Sequence, residues 1–211
     1  GGRGAPATSL AARRVRGRAE ARAIGLAGGL SAEDRLPRWE PTRAQPADSI
    51  RMTGWNETAT AYTQAYGSED LDASVLMLSI VGFVPADDPR MLATIDAIEE
   101  RLTDSRGLVY RYQGDDGLAG EEGTFLLCTF WLAHALALAG QPRRARAVFE
   151  RAAGFATELG LLAEEVAPDS NELLGNFPQA FSHIGLVNAA WAIRTAEDKT
   201  RAPAAVGGNA P

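Results

Sequence analysis

Two kinds of helical segment alternate along this chain, and the alternation limits the folds open to it. Leu71 to Val84 carries Leu71, Val75, Leu76, Met77, Leu78, Ile80, Val81 and Phe83, so it is apolar on almost every side. Such a helix belongs in an interior. Asp88-Pro89 then supplies an N-cap and a proline for the first helical position. Met91, Ile95, Ile98 and Leu102 follow at spacings of 4, 3 and 4, the one-sided stripe of an outer helix. A second all-apolar helix is expected from Thr124 to Ala139 (TFLLCTFWLAHALALA), closed by Gly140. Pro142 opens another amphipathic helix, with Val148, Phe149, Ala152, Phe155 and Leu159 inward and Arg143, Arg144, Arg146 and Arg151 outward, and Gly160 ends it. Asn176-Phe177-Pro178-Gln179 reads as a capping box with proline in the first turn. The buried helix that follows carries Phe177, Phe181, Ile184, Val187 and Trp191 and frays near Glu197.

Hairpins that alternate in this way stack into a solenoid or close into an α/α toroid. No 34-residue repeat is present, which argues against a tetratricopeptide array. The expected class is therefore all-α. In a toroid the apolar helices form the inner ring, and the loops entering them line one mouth. Those loops are Ala65–Asp70, Asp104–Gly123 and Leu161–Asn176. A loop of about 20 residues, as between Thr103 and Gly123, is more often functional than not.

Charge narrows the partners. The net charge is −6, yet the first 30 residues hold six Arg against Glu20 alone, a local +5, which leaves −11 on the rest. A basic arm points towards nucleic acid, but this one has no aromatics to stack on bases. It reads as a solvated tail, and no nucleic-acid partner is expected. No apolar run reaches the roughly 18 residues of a membrane span. With no leader recognised either, the cytoplasm is the expected location.

Among chemically competent residues, Cys128 is the only cysteine and sits on an apolar helix, so it reads as core. His134 and His183 lie among apolar neighbours and read as satisfied core or boundary histidines. Without a Cys/His cluster no zinc site is expected, and no metal or cofactor. Walker, GxGxxG, GxSxG and HExxH motifs are absent. Two groups remain. Glu164-Glu165 follows an apolar run on a loop, where a carboxylate is suited to acid or base work. Tyr110-Arg111-Tyr112 places a rigid guanidinium fork between two flat amphipathic rings, a set suited to polyhydroxylated ligands.

A series of blocks then resembles a known family. Gln64-Ala65-Tyr66-Gly67-Ser68, Leu71-Asp72-Ala73-Ser74, Val81-Gly82-Phe83-Val84-Pro85 and Asp88-Pro89-Arg90 are followed by Gly107-Leu108-Val109-Tyr110-Arg111-Tyr112 and by Glu122 to Trp131. Gly160 to Glu165 and Glu172 to His183 complete the series, which keeps its order over about 60% of the chain. Together they resemble the bacterial branch of glycoside hydrolase family 15, which includes glucoamylases, dextran glucosidases and some trehalases. The resemblance implies an (α/α)6 barrel and an inverting hydrolase of α-glucosidic bonds that takes a neutral carbohydrate substrate. Glu164 aligns with the general base and Arg111 with a sugar-binding arginine. Tyr112, Glu122 and Trp131 fit the motifs as further substrate-binding residues. The partner acid should stand about 6.5–9.5 Å from the base, leaving room for the attacking water.

One part of the pattern is missing. The family's general acid lies in an earlier Trp-Glu motif, and Trp39-Glu40 does not replace it: Pro41-Thr42 follows, and Gln64 is only 24 residues on. About half of the barrel's twelve helices can be counted. The expected organisation is therefore an Arg/Gly/Ala-rich, poorly ordered arm over 1–36, the C-terminal half of a catalytic barrel over 37–197, and a disordered tail over 198–211. A fragment with the base but not the acid is expected to be inactive alone and to self-associate through exposed apolar helix faces. The alternative reading is a non-catalytic α-hairpin scaffold.

Overall fold

The computed structural model describes residues 48–113 and 123–201. The 1–36 arm, Trp39-Glu40, Glu122 and residues 202–211 lie outside the described residues. After a helical turn at 48–53 come β1 (Trp55–Asn56) and β2 (Ala61–Tyr62), which form a small antiparallel hairpin. A 3-10 turn at Ala73–Leu76 leads into α1 (Met77–Ile80), and α2 follows at Pro89–Arg101. Next are β3 (Thr124–Phe125), α3 (Leu126–Leu138) and α4 (Pro142–Ala153). Two more short strands, β4 (Glu165–Val166) and β5 (Leu173–Leu174), precede the long α5 (Ala180–Arg201). Helices dominate, as expected, and among the described residues none is long and apolar enough to cross a membrane.

The central element is α3. Leu126, Phe130, Leu132 and Leu136 are fully buried on it, and α4 and α5 both pack against it. Phe130 meets Phe149 of α4 with ring centroids 5.6 Å apart, a favourable tilted pair. The stripe of α2 is buried as its spacing requires: Met91, Ile95 and Ile98 on the helix and Leu102 at its C-cap. Asp88 caps it, with Oδ1 accepting from the N–H groups of Arg90 (2.9 Å) and Met91 (3.4 Å).

Several elements differ from the sequence expectation, each for a local reason. Leu71–Val84 is buried but is not one helix. Asp72 adopts an extended backbone and caps the short 3-10 turn through Ser74 N–H, 2.7 Å away, and Gly82 at φ +70° ends the helical path. The helix expected to reach Gly160 stops at Ala153. Thr157 draws the chain into a turn instead, its hydroxyl accepting from Leu161 N–H and its carbonyl from Gly160 N–H, and Leu159 is left 83% exposed. The loop expected over Leu161–Asn176 contains β4 and β5. They join β3 in a three-stranded antiparallel sheet, order β3-β4-β5, with Phe125 opposite Glu165 and Glu165 opposite Leu174.

The last helix departs most. It begins at Ala180 rather than beside Asn176, and its entry is capped by Gln179, whose Oε1 accepts from Phe181 N–H. It runs to Arg201, into the stretch expected to be tail. Arg194–Asp198 and Arg146–Glu197 ion pairs span its final turns. The buried side is also a correction. Phe181, Ile184, Val187 and Trp191 are 53–76% exposed, and the face on the core is Ser182, Gly185, Ala189, Ala192, Ile193 and Ala196. Small side chains let α5 approach α3 closely. A β-carbon on Gly185 would stand 3.0 Å from Leu127 Cδ1.

Candidate active site

The site forms where β4 leaves the core between the start of α3 and the start of α5. From Leu162 to Glu164 each residue has a main-chain group held in a hydrogen bond, by backbone or by a side chain, as buried main-chain groups require. Leu162 donates to His183 Nε2 (3.3 Å), and its carbonyl accepts from Gln179 N–H (2.8 Å). The Ala163 carbonyl accepts from the buried Ser182 hydroxyl at 2.8 Å. Glu164 donates to the Asn176 carbonyl (3.0 Å), and its own carbonyl accepts from Leu126 N–H (3.1 Å). His183 therefore has both ring nitrogens engaged, since Nδ1 also meets the Gln179 carbonyl at 2.7 Å.

The two glutamates separate here. Glu165 is a strand residue, and its Oε2 accepts from Gly123 N–H at 3.1 Å. Glu164, half-buried, lines a cavity of about 310 Å³ together with Arg111, Phe125, Leu127, Cys128, Trp131, Gln179, Phe181 and Ser182. It is the one carboxylate among the described lining residues. The structure thus brings Glu164, Arg111 and Trp131 to one cavity. Tyr112 does not line it; its backbone bridges to Asp72. Glu122 lies outside the described residues.

Arg111 is held from behind. Its Nη1 forms an ion pair with the buried Asp72, and its carbonyl accepts from Ala73 N–H at 2.9 Å. Asp72 thus caps the 3-10 turn and anchors the arginine. Asp72 belongs to the Leu71-Asp72-Ala73-Ser74 block, and nothing in the sequence alone marks its task. Gln179, expected in a capping box, and Phe181, expected on the buried stripe of the last helix, both line the cavity. Cys128 reaches the wall but is fully buried, and burial pushes its thiol up to about 12, so it is no nucleophile near neutral pH. Burial also lowers the pKa of His134, as expected of a neutral histidine among apolar residues.

The model of the family described as Glycosyl hydrolases family 15 matches residues 6–191. The chain belongs to this family. A trehalase of Mycolicibacterium smegmatis is 50% identical over 153 residues, which are 71% of this chain and 23% of the relative. A trehalase of Thermoplasma volcanium is 38% identical over 168 residues, 80% of this chain and 27% of the relative. Among solved structures, a bacterial glucoamylase complexed with acarbose superposes with a TM-score of 0.75 at 19% identity, covering 89% of this chain and 34% of that one. A glycosidase variant in complex with glucose gives 0.75 at 20%, covering 89% and 52%. The fold matches part of an (α/α)6 barrel, and this family 15 chain spans about half of such a glycosidase chain and about a quarter of the trehalases.

Proposed function

We propose that this chain supplies the general-base side of an inverting hydrolase of α-glucosidic bonds and lacks the general-acid motif. The observation that carries the reading is Glu164, the single described carboxylate on a largely apolar cavity shared with Arg111 and Trp131. In the reaction, Glu164 takes a proton from a water that attacks the anomeric carbon opposite the glycosidic oxygen. The glycosidic bond breaks, the configuration inverts, and a general acid about 6.5–9.5 Å away protonates the leaving oxygen. Arg111, pre-aligned by Asp72, donates to sugar hydroxyls, and Trp131 offers a flat face to the ring. Trehalose is the first substrate to try, because two relatives that are 50% identical over aligned stretches of 153 and 141 residues are trehalases.

The isolated chain should release no glucose from trehalose, maltose or isomaltose, and robust turnover would sink the proposal. The positive test is a hybrid in which this chain replaces the matching 153 residues of the Mycolicibacterium smegmatis trehalase. That hybrid should hydrolyse trehalose, and Glu164→Gln in it should lower kcat by about 10²–10⁴-fold. A folded hybrid that is inactive, or one indifferent to Glu164→Gln, overturns the assignment. The exposed apolar face of α5 favours a second reading, an α-hairpin scaffold that docks a partner there. The same Glu164→Gln measurement separates the two.

A further inference from the structure

We infer that Asn176 is a positioning residue for the Glu164 carboxylate and selects which of its two oxygens faces the water, a reading that rests on Glu164 being the base. Both donors of Asn176 converge on one atom. Its backbone N–H lies 3.0 Å from Glu164 Oε2 and its side-chain Nδ2 lies 2.7 Å from the same oxygen. A third bond runs the other way, from Glu164 N–H to the Asn176 carbonyl at 3.0 Å. The two residues thus clasp each other across a 12-residue separation, and the carboxylate cannot rotate without breaking two charge-assisted hydrogen bonds.

Among the described residues Oε1 accepts no hydrogen bond, so it is the oxygen left to take the proton from water. A base with one anchored and one open oxygen meets the requirement of a fixed attack geometry. Gly175 makes the approach feasible. It sits at φ +72°, and a β-carbon there would stand 2.8 Å from Glu164 Oε2 and 2.9 Å from Glu164 Cβ. Any other residue would strain the turn and collide with the carboxylate that the next residue holds. This use of Asn176 also explains why it does not cap α5: its amide donates to Glu164 instead.

Two measurements test the assignment. In the active hybrid, Asn176→Ala should lower kcat by about 10–100-fold, with KM held within about twofold because sugar contacts are untouched. Gly175→Ala should do the same. Asn176 is exposed, so a role confined to stability would leave this kcat-against-KM split unmoved. On the 211-residue chain itself, Glu164→Gln should shift the Asn176 backbone and side-chain amide signals in a ¹⁵N-resolved NMR spectrum. An active hybrid indifferent to Asn176→Ala, or Asn176 amides blind to Glu164→Gln, overturns the positioning role. A hybrid inactive before any substitution overturns the base assignment itself.

Discussion

At the scale of single residues, several buried hydroxyls among the described residues complete main-chain hydrogen bonding. Thr129 is one of them. It is fully buried on α3, its hydroxyl donates to the Phe125 carbonyl (3.1 Å) and it accepts from Val109 N–H at 3.0 Å. That contact fastens the loop leading to Arg111 onto the central helix. Thr129→Val keeps the shape and strands the Val109 N–H, so it should cost about 1–3 kcal/mol. Urea denaturation should show the midpoint falling with an unchanged slope. An unchanged midpoint would mean that another acceptor replaces the hydroxyl. Thr94 plays the same part elsewhere, accepting from Tyr62 N–H (3.0 Å) and donating to the Arg90 carbonyl (2.7 Å).

At the scale of elements, the pairing of α3 with α5 decides where the site forms. The two helices approach through Gly185, which meets Leu127 and Phe130, and their N-terminal ends jointly hold the Leu162–Glu164 segment. Gly185→Leu would force them apart and should destabilise by about 1–3 kcal/mol, the usual cost of overpacking. Gly185→Ala adds only one carbon, 3.0–3.1 Å from its neighbours, and recovers up to about 1 kcal/mol of helix propensity. Denaturation midpoints should therefore separate the leucine variant clearly from the alanine one, and equal midpoints would show that the interface is not tight. Ion pairs join the outer helix to its neighbours, Arg144 to Asp96 and Glu99 on α2 and Arg146 to Glu197 on α5. They lie on the surface and contribute little.

At the scale of the whole molecule, the notable feature is what α5 leaves uncovered. Phe181, Ile184, Val187 and Trp191 follow at helical spacing and are each more than half exposed. Phe181 also lines the cavity of Glu164, so the stripe begins at the site and runs away from it. A contiguous apolar face of this kind marks an interaction surface. The proposed half-barrel accounts for it as the seam where further hairpins of the toroid pack. The isolated chain should self-associate, with a light-scattering mass above 22.4 kDa that rises with concentration. Ile184→Lys combined with Trp191→Lys should return it towards a monomer. A parent chain that stays monomeric throughout would remove this account of the stripe.

The all-α class, α2 with its cap, the apolar α3 and the cavity residues Arg111, Trp131 and Glu164 were legible in the amino-acid order, because periodicity, caps and ordered motif blocks are local signals. Other features were not local. The pattern at Phe181, Ile184, Val187 and Trp191 says that α5 has an apolar face, but the small residues on its other side are the ones that fit against α3. Periodicity cannot choose between an apolar stripe and a close-packing one; only the partner's surface does. Asn176 has the same chemistry whether it caps a helix or grips a carboxylate; in the fold it follows the positive-φ turn at Gly175, and both Asn176 donors reach Glu164. The sequence by itself determined α2 with its cap, the apolar α3 and the order of the chemical groups. The tertiary structure decided which helix face was buried and which oxygen of the glutamate stayed open, because both depend on contacts between segments distant along the chain.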